Sequence, residues 1–247
     1  MQKLEFLKKR IPIVEIFNSI SGEGASTGML ATFIRVQGCN LRCNYCDTKY
    51  SYDGNEKVEL MFPEEIKSVL SKYNCNNIIC TGGEPLDSYG SKRYLPIFLA
   101  SEGYNVLIET NGSVPLYNEQ EQKEFFSYER EDNLIYILDV KCPGSGMFRN
   151  DLIKNNIKYM KKFDEIKFVV RDANDFFYAM DILGKYEKVF SENNILINFS
   201  PVFGEIEPRE LVELLKSERA YFQKRRLMVR LNLQIHKYVW DQSMRGV

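Results

Sequence analysis

Seven short apolar runs recur along the chain and predict buried strands. They begin near Ala31, Asn76, Tyr104, Leu134, Glu165, Asn194 and Leu227. After a longer first step the runs start about 30 residues apart, a spacing typical of the βαβ unit. The segments after Pro63, Ala173 and Pro208 carry apolar residues at helical spacing, and proline suits a first helical turn. The pattern therefore predicts an α/β chain.

A further apolar stretch, IPIVEIF from Ile11, predicts a strand that ends in a loop containing GEG. The order of strands cannot be read from the pattern, so a barrel and an open sheet both agree with it. In either fold, ligands bind at the carboxyl ends of parallel strands. There this chain has the polar turns TGGEP, ETNG, DVKCPG and SPVFG. Any one such turn is explained by chain reversal alone, but their number around one rim predicts a shared site.

Composition limits the class of protein. The chain has 247 residues, of which 44% are hydrophobic, and this suits one domain with a sizeable core. Lys and Arg total 33 against 34 Asp and Glu, for a net charge of -1. No overall positive field would attract nucleic acid or an anionic membrane. We see no signal peptide and no apolar run of about 18 residues, and we expect a cytoplasmic protein that binds neither nucleic acid nor membranes.

Three of the six cysteines lie in one short stretch, CNLRCNYCDT, as Cys39, Cys43 and Cys46. A structural zinc site takes four ligands, usually as two pairs. Cys43 and Cys46 could form one pair and Cys75 and Cys80 the other. This would leave Cys39 unused and would draw Cys80 out of an apolar strand. A disulfide is disfavoured without a secretion signal and leaves an odd thiol. A [4Fe–4S] cluster is different, because three thiolates leave one iron open to a small molecule.

The C-x3-C-x2-C spacing directly after the first strand resembles the radical S-adenosylmethionine (SAM) superfamily. The resemblance implies an incomplete or distorted (β/α)6 TIM-like barrel, formed by residues 1–247 as a single radical SAM domain. In that superfamily the unique iron chelates SAM, and one electron from the reduced cluster gives a 5′-deoxyadenosyl radical. Thr81–Pro85 resembles its Gly-Gly-Glu motif, in which residues without a Cβ let SAM approach the backbone. Tyr45 matches the aromatic residue that usually precedes the last cysteine.

The same resemblance implies a set of SAM contacts, most of them at the ends of the strands. They are Tyr45, Gly82, Gly83, Glu84, Thr110, Asn111, Gly112, Asp139, Val140, Lys141, Ser200, Pro201, Val202 and Phe203.

Further segments resemble the 7-carboxy-7-deazaguanine synthase family: SISGEG, the Asp-Thr after the last cysteine, DVKCP, NLQIHKYVW and the terminal RGV. This resemblance runs from Glu15 to Val247. It implies that a radical abstracts hydrogen at C6 of 6-carboxy-5,6,7,8-tetrahydropterin, after which the ring contracts, ammonia leaves and 7-carboxy-7-deazaguanine forms. That product feeds queuosine and related deazapurines. The resemblance also implies Mg²⁺, a flavodoxin or ferredoxin as electron donor, and a homodimer.

Residues 11–30 are then expected to cover the substrate site. The implied substrate contacts are Ile20, Ser21, Gly22, Glu23, Arg35, Thr81, His236 and Val247. A carboxylate at Glu23 can accept two hydrogen bonds from the guanidine-like edge of a pterin. Arg35 can pair with the substrate carboxylate, although an ordinary structural ion pair is its alternative. Ser21 stands where the family commonly has Gln, so a longer polar contact is expected to be absent or replaced by water.

Thr48 matches the family's Mg²⁺ contact, with Asp47 beside it as a second metal candidate. Hard oxygen ligands and few protein contacts suit this ion, whereas an N-cap is the structural alternative for the pair. A glycyl-radical enzyme activating enzyme shares the cysteine motif, but a peptide groove has no evident need for such a metal site. A zinc- or cluster-stabilised interaction module is the non-enzyme alternative.

Overall fold

The computed structural model describes residues 2–126, 132–148, 150–241 and 244–247. The described strands are β1 (Ile11–Ile20), β2 (Leu30–Val36), β3 (Glu59–Met61), β4 (Asn77–Gly82), β5 (Asn105–Thr110), β6 (Leu134–Val140), β7 (Glu165–Val170), β8 (Leu196–Pro201) and β9 (Met228–Leu231). The described helices are α1 (Lys3–Phe6), α2 (Pro63–Tyr73), α3 (Leu95–Ser101), α4 (Glu119–Phe125), α5 (Asn150–Ile157), α6 (Ala173–Lys185), α7 (Glu187–Glu192), α8 (Pro208–Ser217), α9 (Arg219–Arg225) and α10 (His236–Val239). Short 3-10 turns cover Lys49–Ser51, Tyr89–Tyr94 and Pro143–Ser145.

All nine strands belong to one sheet, in the order β3-β1-β2-β4-β5-β6-β7-β8-β9. From β2 through β4 to β9 the neighbours are parallel, whereas β1 pairs antiparallel with both β2 and β3. The seven strands predicted from apolar runs are all present. Among the described residues no ladder joins β3 to β9, so the α/β prediction of an incomplete barrel is confirmed.

The loop after β1, which leads into the amino end of β2, is nevertheless tied to the segment after β9, the strand at one end of the sheet. After β1 the chain enters the loop of residues 21–25, where the Gly24 amide donates to Asn232 Oδ1 at 3.0 Å. The Ile235 amide donates to the Gly22 carbonyl, also at 3.0 Å. These bonds draw the segment after β9 against the segment after β1, and they enclose the space between.

Alternation along the strands divides the sheet into two faces. Residues such as Ile34, Ile78 and Val106 are fully buried beneath the helices in the main core. On the other face a smaller apolar cluster contains Ala31, Ile79, Leu107 and Ile137. The charged and polar side chains of that face lie further along the same strands, so the interior changes from apolar to polar toward the carboxyl edge.

The predicted helices form where the sequence signals them. Pro63 begins α2, and Glu65 accepts a hydrogen bond from the Phe62 amide at 2.7 Å. Asp172 caps α6 by accepting from the amides of Asn174 and Asp175. Among the described residues no helix has both the length and the apolar character needed to cross a membrane.

Candidate functional site

A cavity of about 280 Å³ opens at the carboxyl ends of the parallel strands. It brings together most of the residues that the sequence predicted for cluster, cofactor and substrate. These are Ile20, Gly22, Glu23, Arg35, Cys39, Cys43, Tyr45, Cys46, Asp47, Thr48, Thr81, Gly82, Gly83, Thr110, Asn111, Asp139, Lys141, Ser200, Pro201, Val202, Phe203, His236 and Val247.

Four predicted contacts do not line this cavity: Ser21, Glu84, Gly112 and Val140. Ser21 is buried within its own loop, where its hydroxyl bonds the Glu23 carbonyl at 3.0 Å. Val140 packs into the main core because its position on β6 faces the helices. Gly112 lies beyond the end of β5, beside a separate small crevice. The contacts predicted for these four residues stay predictions.

The three cysteines of the motif all lie on the cavity wall, half-buried and unpaired by disulfides. The Cys39 sulfur accepts hydrogen bonds from the Leu41 amide at 3.4 Å and from Asn111 Nδ2 at 3.6 Å. Burial raises the pKa of the Cys39 and Cys43 thiols above the ordinary value. Within the described residues no three His, Cys, Asp or Glu side chains lie close enough together to hold a single metal ion.

The glycines of the TGGEP turn are required by the packing of the chain itself. A Cβ on Gly83 would lie 1.9 Å from the Gly38 carbonyl oxygen, just before the first cysteine. A Cβ on Gly82, whose φ is +117°, would lie 2.5 Å from the Val36 amide nitrogen. The turn after β4 therefore lies directly against the chain that leads into the cysteine loop, a contact that only residues without a side chain allow.

Glu84 connects this turn to the end of β5 and does not face the cavity. Its buried carboxylate accepts from the Leu86 amide, the Thr110 hydroxyl and the Asn111 amide at 2.9, 2.8 and 2.7 Å. Burial raises the pKa of Glu84, although these donors favour the charged form. Glu84 thus fixes Thr110 and Asn111, which do line the cavity.

Glu23 is an acidic residue of the cavity wall, and two neighbouring side chains hold its carboxylate. One carboxylate oxygen accepts from Lys167 Nζ at 2.8 Å, and the other accepts from the Gln234 side-chain amide. Lys167 also lies 4.0 Å from Asp139. Burial opposes the charge on Lys167, but Glu23, Asp139 and Glu109 outweigh it and raise the pKa of the ammonium.

Arg35 forms the structural ion pair considered for it and also lies on the cavity wall. Its Nε donates to Glu15 at 2.6 Å, and the Tyr50 hydroxyl donates to the same carboxylate oxygen at 2.9 Å. The structural ion pair therefore exists, and it fixes a guanidinium that also lines the cavity.

Glu109 is a cavity residue that the motifs did not reveal. The Thr81 hydroxyl donates to its carboxylate at 2.6 Å. Burial raises the pKa of Glu109, and the negative charge of Glu23 adds to this effect, while Lys167 and Thr81 oppose it. The other unpredicted wall residues are Phe17, Phe33, Leu41, Tyr52, Ile137, Lys167, Val169, Gln234 and Lys237. A polar residue inside an apolar strand was the available signal for Glu109 and Lys167.

The residues after the last cysteine contact the carboxyl-terminal segment. Lys237 Nζ lies 3.1 Å from the Asp47 carboxylate. The Asp47 side chain is 53% exposed; the surrounding protein opposes its ionisation, but the charge of Lys237 outweighs this effect and lowers the pKa of Asp47. Thr48 precedes the turn at Lys49–Ser51 without a side-chain capping bond, and its hydroxyl lies 3.7 Å from the Cys46 sulfur. The N-cap alternative is therefore not observed for Thr48.

His236 packs directly against the loop after β1. A Cβ on Gly22 would lie 2.1 Å from His236 Nδ1, so a side chain at this position would collide with the imidazole. Burial lowers the pKa of His236, although the Glu23 carboxylate opposes the shift. The imidazole is therefore neutral at pH 7 and able both to donate and to accept a hydrogen bond.

Comparison with known proteins places this geometry in context. Residues 33–136 match the Radical SAM superfamily. The chain is 39% identical to 7-carboxy-7-deazaguanine synthase of Clostridium acetobutylicum, over 95% of this chain and 98% of that protein. The enzyme of the same name from Leptospira interrogans is 35% identical over 94% and 96%. That of Koribacter versatilis is 32% identical over 95% and 99%.

Two solved structures share the fold. QueE from Escherichia coli superposes with a TM-score of 0.66 at 21% identity, covering 93% of this chain and 96% of the other. Streptococcus suis SuiB bound to S-adenosylmethionine gives a TM-score of 0.52 at 14% identity, covering 79% and 44%.

Proposed function

The chain belongs to the 7-carboxy-7-deazaguanine synthase family, and from this premise we propose how its cavity carries out that reaction. The protein is a radical SAM lyase that converts 6-carboxy-5,6,7,8-tetrahydropterin to 7-carboxy-7-deazaguanine with loss of ammonia. One observation carries the proposal. A single cavity is lined by the three cysteines and by the polar side chains of Glu23, Arg35 and His236.

Cys39, Cys43 and Cys46 would hold the [4Fe–4S] cluster. Three free thiols on one loop at the cavity wall suit it, since each thiolate binds a different iron of the cluster. SAM would lie along the carboxyl ends of β4, β5, β6 and β8, where polar turns and backbone face the cavity. When bound, cluster and SAM would supply the 5′-deoxyadenosyl radical that abstracts hydrogen at C6 of the pterin.

The chain's own residues would bind and orient the pterin. The Glu23 carboxylate would accept hydrogen bonds from the guanidine-like edge, because its two oxygens have lone pairs beyond those used by Lys167 and Gln234. Arg35 would face the substrate carboxylate, with Glu15 holding it in place. The Phe17 and Phe33 rings, stacked 4.9 Å apart, would form part of an apolar floor that excludes water.

Mg²⁺ would bind beside Thr48, with the substrate carboxylate and waters completing its coordination. This ion keeps several waters and needs few protein ligands, and the Thr48 hydroxyl lies on the cavity wall. Asp47 is a second candidate, but its ion pair with Lys237 would first have to open or be shared. A flavodoxin or ferredoxin as electron donor and a homodimeric assembly complete the proposal, on the family resemblance.

An anaerobic turnover assay tests the proposed function. Reconstituted protein would be incubated with SAM, dithionite, Mg²⁺ and 6-carboxytetrahydropterin, and the products identified by mass spectrometry. We expect 7-carboxy-7-deazaguanine from the wild type and none from Cys39→Ala, Cys43→Ala or Cys46→Ala. Cys75→Ala is the matched control, because Cys75 lies outside the cavity wall and should leave turnover intact. 5′-Deoxyadenosine without deazaguanine would overturn the substrate assignment and favour the glycyl-radical activating enzyme.

A further inference from the structure

Lys92 is a buried lysine outside the cavity, in the turn Tyr89–Tyr94. Its side chain is 0% exposed. The ammonium donates to the carbonyls of Gln37 and Gly38 at 2.7 and 2.6 Å. Its nearest carboxylate, Asp87, lies 3.8 Å away. The positive charge is thus directed at the two residues that precede Cys39.

Two sets of hydrogen bonds lead from this region toward Cys39, one to the backbone before it and one to its sulfur. In the first, the Gly38 carbonyl accepts from both Lys92 and the Glu84 amide, the latter at 2.8 Å, and so fixes the residue before Cys39. In the second, the Glu84 carboxylate holds the Asn111 amide, and Asn111 Nδ2 lies 3.6 Å from the Cys39 sulfur. The position of Cys39 therefore depends on Lys92 and Glu84 together.

A buried ammonium is costly unless its charge is compensated. Burial lowers the pKa of Lys92, while Asp87 and Glu84 oppose that shift. A methionine of similar length could fill the space without this cost. An anionic group bound at the cysteine loop would help to compensate the positive charge of Lys92, because it would lie on the side of Lys92 that faces Gln37 and Gly38.

We propose that Lys92 is a positioning residue for Cys39 and that its buried positive charge favours one-electron reduction of the cluster bound there. The proposal rests on the proposed function, which places a [4Fe–4S] cluster at the three cysteines. Reduction adds one electron from an external reductant to a cluster already carrying thiolates. A fixed cation nearby stabilises the more negative state, and net charge is one determinant of cluster potential.

The test is the midpoint potential of the reconstituted cluster, read by electron paramagnetic resonance during a redox titration. Lys92→Met should shift the potential to more negative values. At a fixed potential the ratio of reduced to oxidised cluster should fall about tenfold, as expected for the loss of one buried charge nearby, which corresponds to a shift of about 59 mV for a one-electron couple. Lys92→Arg should stay near the wild type, because it keeps the charge.

Two further variants make the test specific. Asp87→Asn removes the nearest negative charge and should shift the potential in the opposite direction, to more positive values. Lys67 lies outside the cavity wall and is ion-paired with Glu102. Lys67→Met should therefore leave the potential unchanged.

Unchanged potentials in both Lys92→Met and Asp87→Asn would overturn the proposal. If Lys92→Met does not fold or holds no iron, the potential of Asp87→Asn decides whether the proposal stands. A positive shift then supports the role of the charge, and no shift overturns it. A wild-type protein that takes up no cluster would instead contradict the proposed function, so the two failures are distinguishable.

Discussion

Replacing Gly83 with Ala would place a methyl group against the backbone that leads into the cysteine loop. The new Cβ would lie 1.9 Å from the Gly38 carbonyl oxygen and 2.3 Å from its carbon. Ordinary van der Waals contact begins at 3.4 Å, so the two segments would have to separate by about 1.5 Å. Neither atom belongs to a flexible side chain that could turn away.

The energetic cost follows from this geometry. Overpacking of a well-packed region costs about 1–3 kcal/mol, and a backbone obstacle places Gly83→Ala at the upper end of that range. Separation would also break the hydrogen bond from the Glu84 amide to the Gly38 carbonyl, now 2.8 Å long, for about 1 kcal/mol more. We expect a loss of about 3–4 kcal/mol in unfolding free energy, with Cys39 displaced from its position.

Urea unfolding of the cluster-free protein and iron content after anaerobic reconstitution measure the two effects. Gly184→Ala is the matched control, because Gly184 lies within α6 and its Cβ would meet only the Tyr221 hydroxyl, at 3.1 Å. Alanine is favoured over glycine in a helix by about 1 kcal/mol, so the control should keep its stability and iron. A Gly83→Ala protein with wild-type stability and iron content would refute the reasoning.

Two other variants address the substrate side of the cavity. Arg35→Lys should raise the KM for the pterin about tenfold, because lysine lacks the planar fork that can serve Glu15 and a second carboxylate at once; an unchanged KM in steady-state assays would exclude that contact. His236→Gln should change the pH dependence of stability, measured by urea unfolding across pH. Burial lowers the pKa of His236, so the unfolded chain binds the proton more readily. Wild-type stability should therefore fall as pH drops below about 6.5, and the variant should lose less; equal losses would contradict this.

The strands and the cysteine loop could be predicted because their signals are local. Apolar runs at regular spacing identified β2 and β4 to β9, and the cysteine spacing identified the loop after β2. Strand β3 was missed because its three residues, Glu59–Met61, are too short for a periodic pattern. Its position at the edge of the sheet depends on pairing with β1.

The inner polar residues were harder to predict, because sequence alone does not say which face of a strand lines the barrel. Glu109 and Lys167 alternate with buried apolar residues, as many exposed polar residues do. Only the assembled sheet, with the loop after β1 held against the segment after β9, brings these side chains toward Glu23. Ser21 shows the opposite case. It lies in the GEG loop between Ile20 and Gly22, which line the cavity, but its hydroxyl bonds Ser26 and the Glu23 carbonyl.

The most direct test of the account is the fate of the hydrogen at C6 of the pterin. The reconstituted wild type would be incubated anaerobically with SAM, dithionite, Mg²⁺ and substrate deuterated at C6, and 5′-deoxyadenosine and the pterin-derived product would be analysed by mass spectrometry. The account predicts deuterium in 5′-deoxyadenosine together with 7-carboxy-7-deazaguanine. Unlabelled 5′-deoxyadenosine, or a pterin recovered without ring contraction, would contradict it.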